Sequence, residues 1–597
     1  MCSCSLPVPK LVQTAQKYLK TVAPLLNNDE FNETKKVVDE FLQEAEPLQQ
    51  LLLKRADTEI NWLSQWWLDQ TYLLWRGNLP IYYNPGALFP KQKYRNFDEQ
   101  LKFAANFIYA LLKYRKLIDN DLLPIDRAGT QMLCMDQHTK VFGTCRIPGE
   151  KIDRLCLYDK NIKNTNMYRH AALFYRNNIY RLPLYDDNNN ELSPSSLYSL
   201  LNNLSNDECG QLIGHLTADE RRHWAPIYKE LTSDPNNDLL FDTIHNSLFV
   251  VCIDDKEIES KNYKNKNSKT LAALNFFHGG VTNTSNRWFD KTIQLIIAPN
   301  GYAGINYEHS CAEGGPIMAM IDYSLEYCQN ASIPELVRTT SSYTKVPISI
   351  PKHLEQQIID SRKRVDKLIE NFDVTIVSYA EFGKQFAKLN KLSIDAIIQV
   401  GLQLAYFRMH GKPGVCYESG SLRKFHFGRT ETIRSCTIEA QQFIRSMLEK
   451  HNETTQETKY QLLLNAIQAH RKYTNDAING QGVDRHLLGL KLISIENHLP
   501  LPVLYNHFSY KRAMHFVLST SQIASKHECV MLFGAAVNDG YGFCYNPLND
   551  QILFMISTYK LNNNDTDAEQ FSQYICSSLS AIQQLIKSNA NELKSKL

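Results

Sequence analysis

Apolar positions recur along this chain with two different periods, and the alternation between them sets the expected architecture. After Leu6-Pro7-Val8-Pro9, the residues Leu11, Ala15, Tyr18, Leu19 and Val22 fall on helical spacing, so an extended lead into an amphipathic helix is expected. Similar patterns predict helices near residues 30–53, 97–115, 197–204 and 218–231. Between them lie short apolar runs over 168–184 and 247–253. The second, Ser-Leu-Phe-Val-Val-Cys-Ile, reads as a buried strand and is too short for a bilayer. Residues 293–298 and 302–307 are strand-like and flank Pro299-Asn300-Gly301, which predicts a hairpin. Trp62, Trp66 and Trp67 form a stripe expected in the core or a domain seam. Strands alternating with helices indicate an α/β fold.

Length changes that picture first. A chain of 597 residues exceeds one compact core, so two domains are expected, with Pro347-Ile-Ser-Ile-Pro351 as the linker. Polar stretches at 186–191, 254–269 and 562–567 read as solvated loops. Lys and Arg number 65 against 63 Asp and Glu, which argues against nucleic acid or an anionic membrane as main partner. No apolar run reaches the ~18–20 residues needed to span a bilayer. Residues 1–10 lack both the apolar core of a secretory signal and the Arg-rich pattern of a transit peptide, so a soluble, non-secreted protein is expected. The 14 cysteines, scattered singly apart from Cys2 and Cys4, show no Cys-x-x-Cys or zinc spacing. They read as reduced thiols, with no metal site expected.

Candidate chemistry starts at His309, where the second strand of the hairpin gives way to Glu313-Gly314-Gly315-Pro316 and a segment with Ile317, Met320 and Ile321 at helical spacing. A strand-to-loop junction can hold a side chain at a cleft. On its own, one histidine among 17 is better read as structural. Lys384 and Lys388 share a helical face that alone reads as solvated. Met531, in Cys529-Val-Met-Leu-Phe-Gly534, alone reads as core.

The words around these residues alter the weighting. Tyr307-Glu-His-Ser-Cys-Ala-Glu-Gly-Gly-Pro316 resembles the catalytic segment of the carnitine and choline acyltransferases, and the run from Tyr417 to Ser435 resembles that family's second signature. The resemblance covers nearly the whole chain. It implies two domains like chloramphenicol acetyltransferase, each a mixed sheet flanked by helices, with the active-site tunnel at their interface. Residues 58–350 would form the domain carrying the histidine. Residues 351–597, with helices from 1–57, would carry most coenzyme A and carnitine contacts.

By the same resemblance, His309 is the general base and Ser521 of Ser519-Thr520-Ser521 steadies the oxyanion. Lys384, Lys388, Asp395, Arg471 and Gln522 fall at coenzyme A positions. Tyr417, Ser419, Thr430, Arg485 and Ser519 fall at carnitine positions. Arg485 matters most, because a guanidinium matches the carboxylate that carnitine has and choline lacks. Thr430 and Thr432 follow the carnitine pattern as well. Met531 stands where short-chain members carry Met and longer-chain members Gly, so an acetyl-sized pocket is implied. The partner of the imidazole stays open, with Glu313 paired to Arg429 as a shaper of the loop.

The implied reaction is reversible transfer of acetyl or short acyl groups between coenzyme A, a substrate here and not a cofactor, and the carnitine 3-hydroxyl. The nearest rival is a medium-chain (octanoyl) transferase of the same family. Further alternatives are an acyl-enzyme on Cys311, which no recognised motif supplies with an oriented base, and a non-catalytic acyl-CoA binder. The terminal Ser595-Lys596-Leu597 reads as a peroxisomal address taken by the import receptor. A mitochondrial location would need another isoform, and a monomer is expected.

Overall fold

The computed structural model describes residues 4–158, 168–204, 208–258, 266–449, 454–560 and 565–595. Two mixed sheets, each flanked by helices, organise these residues. The first has eight strands in the order Thr344–Lys345, Asn178–Pro183, His170–Tyr175, Val250–Ile253, Ile293–Ile297, Ala303–Tyr307, Gly86–Leu88 and Val530–Leu532. Val250–Ile253 runs parallel to both its neighbours, and its four residues are fully buried. A strand covered on both faces reads as a continuous apolar run, which explains Val-Val-Cys-Ile.

The hairpin expected around Pro299 is present. Ala303 pairs with Ile297 and Tyr307 with Ile293. Asn300 and Gly301 both hold positive φ, 59° and 83°, the turn that continues the right-handed twist of the strands. Helices Phe97–Asp119 and Gly314–Asn330 pack together over this sheet.

The second sheet has six strands ordered Phe372–Tyr379, Ile552–Tyr559, Tyr541–Pro547, Leu518–Gln522, Cys416–Ser421 and Thr430–Ile433. Its central strands run parallel, and helices Ile394–His410 and Ala568–Ser595 pack against each other beside it. The helices Leu11–Val22 and Asn28–Thr58 share a buried cluster with Leu487, Leu490 and Ile493 of Asp484–Glu496. The N-terminus thus packs on the C-terminal half. Contact runs the other way too: Val530–Leu532 leaves the C-terminal half and pairs with Gly86–Leu88 in the first sheet, Met531 opposite Ala87.

One expectation needs correction. Residues 254–269 are not uniformly a solvated loop: Asp254 is 1% exposed and both of its oxygens accept from Arg287, at 2.8 and 2.7 Å. A buried carboxylate demands such a partner. The Ser519-Thr520-Ser521 motif lies within the strand Leu518–Gln522. Of the polar stretches, 259–265 and 561–564 lie outside the described residues, as do Lys596 and Leu597 of the terminal tripeptide.

Candidate active site

His309 leaves the end of strand Ala303–Tyr307 and enters the loop before helix Gly314–Asn330. Its ring stacks between Tyr72 and Tyr307, with centroids 5.6 and 5.4 Å away. The Tyr72 hydroxyl lies 2.9 Å from Nδ1, and Glu313 Oε2 lies 3.5 Å from Nε2. Arg429 clasps the other Glu313 oxygen at 2.5 Å and donates to the backbone carbonyls of His309, at 2.9 Å, and Ser310. Its guanidinium also stands 5.0 Å from the Tyr72 ring centre. One cation therefore ties the carboxylate, the loop and the aromatic wall together.

The electrostatics follow from burial. Desolvation pulls the His309 imidazole below its ordinary value despite the opposing pull of Glu313, so it is neutral at physiological pH. Burial pushes the Glu313 carboxyl up, but Arg429 and His309 outweigh it and it is held low, ionised. Burial raises Tyr72 well above the usual phenol range, keeping it protonated. Behind these groups Arg146, wholly buried, donates to the Tyr72 carbonyl at 2.6 Å and to Glu308 at 3.1 Å.

A second group of candidate residues lies on one face of the second sheet. Side chains alternate along a strand, so Tyr417 and Ser419 share a face and Glu418 takes the other. Tyr417 pairs with Ser519 and Ser419 with Thr432 in register, and Ser421 pairs with Thr430. Ser519 and Ser521 thus join Tyr417, Ser419, Thr430 and Thr432 on a shared surface. Arg485, at the start of helix Asp484–Glu496, reaches it: Nε donates to the Thr430 carbonyl at 2.8 Å, and the terminal nitrogens approach the hydroxyls of Thr432 and Thr430 at 3.3 and 3.4 Å. The Glu431 carboxylate accepts from the Arg485 backbone N–H at 3.2 Å and fixes the helix start.

Met531 lies close to the groups around His309. Its sulfur lies 3.8 Å from the Tyr307 hydroxyl, and a Cβ added at Gly314 would sit 3.5 Å from it. Tyr307 in turn stacks on His309, so Met531 is one side chain removed from the imidazole.

A model of the choline/carnitine O-acyltransferase family matches residues 6–577. The chain belongs to this family of acyltransferases. It is 39% identical to a carnitine O-acetyltransferase of Columba livia, over 98% of this chain and 93% of that protein. The human carnitine O-acetyltransferase is 38% identical over the same shares. A choline O-acetyltransferase of Danio rerio is 35% identical over 99% and 94%.

The positions that the family resemblance gives to coenzyme A are more dispersed. Lys384 and Lys388 lie on helix Lys384–Leu389, and neither is ion-paired among the described residues. Lys384 N–H donates to the Leu548 carbonyl at 2.7 Å, which anchors the helix to a loop beside the second sheet. Arg471 on helix Gln456–Ile478 and Gln522 at its strand end are exposed. Asp395 accepts from the Tyr545 hydroxyl at 2.6 Å.

Although no metal spacing is legible in the sequence, the fold gathers Asp395, Glu418 and His470, whose ligand-type atoms lie within 4.8 Å of one another. His470 Nε2 lies 2.8 Å from Glu418 and Tyr545 bridges the carboxylates, so the group is already hydrogen-bonded internally. Burial, then Asp395, pushes Glu418 up to about 7, while burial opposes and Glu418 outweighs for His470, which is raised.

Trp62 and Trp66 lie in a buried cluster with Trp67 packed against it, as the core reading of the Trp-rich stretch expected, but the contacts of Trp67 and Tyr72 were not foreseen. Residues Leu68–Leu73 form a π-helix, whose repeat brings positions five apart onto one face. Trp67 and Tyr72 are so related. The first lies 3.8 Å from the Arg485 guanidinium and the second meets His309. Trp67 Nε1 is buried with no partner among the described residues. Cys311, the rival nucleophile, is 5% exposed, and burial pushes its thiol up to about 12. Among the described residues its sulfur meets the Lys140 carbonyl and the Thr292 hydroxyl, and no base faces it.

Proposed function

We propose that this protein transfers acetyl and other short acyl groups reversibly between coenzyme A and the 3-hydroxyl of carnitine, with His309 as general base. The observation that carries this reading is Arg485: a buried guanidinium bonded to Thr430 and Thr432 on the face that also holds Ser519 and Tyr417. A carboxylate would find paired charge-assisted hydrogen bonds there, together with the unpartnered indole N–H of Trp67. A choline headgroup would leave that cation unmatched.

With Nδ1–H donating to the Tyr72 oxygen, Nε2 carries the free lone pair. It takes the hydroxyl proton of carnitine as the oxygen attacks the thioester carbonyl. The Ser521 hydroxyl donates to the developing oxyanion. When the tetrahedral species collapses, the C–S bond breaks, the new ester remains, and the imidazolium returns its proton to the coenzyme A thiolate. Glu313 stabilises that imidazolium from 3.5 Å. No acyl-enzyme forms.

Lys384, Lys388, Asp395, Arg471 and Gln522 are proposed to hold coenzyme A, and Tyr417, Ser419, Thr430, Arg485 and Ser519 carnitine. Met531 is proposed as the floor of the acyl pocket, which favours acetyl over octanoyl. The terminal Ser595-Lys596-Leu597 is proposed to direct the protein to peroxisomes. Assay of acetyl-, octanoyl- and palmitoyl-CoA against carnitine and choline tests the whole reading. Fastest turnover with acetyl-CoA and carnitine is expected. Preference for choline would overturn the Arg485 argument, and preference for octanoyl-CoA would move the medium-chain reading ahead.

A further inference from the structure

His309 is held by Glu313 and Arg429, which belong to two separate segments of chain. Besides the direct bonds from Arg429, a third piece of chain, residues 126–138, joins those segments. Gln137, 3% exposed on the short helix Asp136–Thr139, donates from Nε2 to the Gly428 carbonyl at 3.0 Å and accepts at Oε1 from the Glu313 N–H at 2.8 Å. One carboxamide therefore spans the residue before Arg429 and the backbone of Glu313.

Its neighbours close the same seam. Arg423 donates from Nη2 to Asp126 at 2.6 Å and to the Cys134 carbonyl at 3.0 Å, and its own carbonyl accepts from the Cys134 N–H. His138, 2.8 Å from Asp126, backs that latch. The held loop has little slack, since a Cβ at Gly428 would fall 1.9 Å from the Leu422 carbonyl oxygen.

We infer that Gln137 is a positioning residue for acyl transfer: its carboxamide sets the register between the segments carrying Glu313 and Arg429, and through them the orientation of His309. The inference deepens the proposed function and rests on His309 being the base. Gln137 touches neither the imidazole nor any residue proposed to bind substrate. Its effect is expected on kcat and not on substrate binding, because misplacement of a base weakens the chemical step alone.

Gln137→Met keeps the volume and removes both hydrogen bonds. A fall in kcat of about tenfold or more is expected, with the KM for acetyl-CoA and for carnitine nearly unchanged. The pH dependence of His309 carbethoxylation, followed by mass spectrometry of its peptide without substrate, should move toward that of an ordinary histidine. On a Glu313→Gln background the same substitution should add little, since the two act through one arrangement. Gln137→Leu, which also removes both hydrogen bonds without burying a charge, should behave like Gln137→Met and serves alone if the Met variant does not fold.

Unchanged kcat and unchanged carbethoxylation in either folded variant would overturn the inference, as would a lowered melting temperature with both left intact. If wild type transfers no acyl group but Gln137→Met still shifts the His309 titration, the functional reading fails and the positioning role stands.

Discussion

The Tyr72 hydroxyl stands 2.9 Å from Nδ1 of His309, and the proposed mechanism needs its oxygen to accept the Nδ1–H. A tyrosine kept protonated by burial can accept an N–H through its oxygen, leaving Nε2 to the substrate. Tyr72→Phe removes the acceptor while preserving the stacked ring. We expect kcat to fall by about tenfold to a hundredfold with binding constants little changed. Unaltered turnover would show that the imidazole is oriented without Tyr72.

Replacing the base itself should be more severe. His309→Ala is expected to lower turnover by ~10²–10⁴ while acetyl-CoA binding, measured by calorimetry, persists. Cys311→Ala should retain activity, because a buried thiol with no facing base is no nucleophile.

The pH profile has a definite sign. Burial depresses the His309 pKa and Glu313 pulls it back up, so the acidic limb of kcat/KM should lie below the ordinary histidine value of ~6.5. Activity is then lost as pH falls through that lowered value and the base becomes protonated. Glu313→Gln removes the group that raises it and leaves Arg429 unpaired, so the limb should move to still lower pH as kcat drops. Movement to higher pH would contradict the assigned electrostatics.

Arg485→Asn should raise the KM for carnitine far more than that for acetyl-CoA, by an amount equivalent to ~2–5 kcal/mol. Adding Thr430→Val and Thr432→Asn should shift preference toward choline. A triple variant with an unchanged carnitine-to-choline ratio would refute the placement of the carboxylate.

Met531→Gly should open the acyl pocket, since each newly buried methylene contributes ~0.8 kcal/mol. Activity on octanoyl-CoA is expected to rise by about tenfold or more while acetyl transfer stays level or falls, at a stability cost of ~2–5 kcal/mol. No gain on octanoyl-CoA would make Met531 ordinary core.

What could be read from the chain divides along local and distant interactions. The Pro299-Asn300-Gly301 turn, the buried strand at Val250–Ile253 and the helix Phe97–Asp119 were legible because turn chemistry and periodicity act over a few residues. The strand Leu518–Gln522 was not, because Ser-Thr-Ser-Gln lacks apolar alternation and takes its conformation from parallel neighbours on both sides. His309, Arg485 and Met531 were singled out as candidates by their surrounding words. Tyr72, Trp67 and Gln137 carry no local signal of their own: a π-turn and contacts from distant chain give them their roles. The gathering of Asp395, Glu418 and His470 is equally invisible to spacing, since three separate elements supply them.

The strand Val530–Leu532 bears on biogenesis. Until it emerges late in synthesis, Gly86–Leu88 is the bare edge of the first sheet, with backbone groups open to foreign strands. Only the C-terminal half can cover that edge, and the residue that does so opposite Ala87 is Met531. A nascent or truncated N-terminal half would therefore expose an unpaired strand edge and be aggregation-prone until the C-terminal half supplies its neighbour.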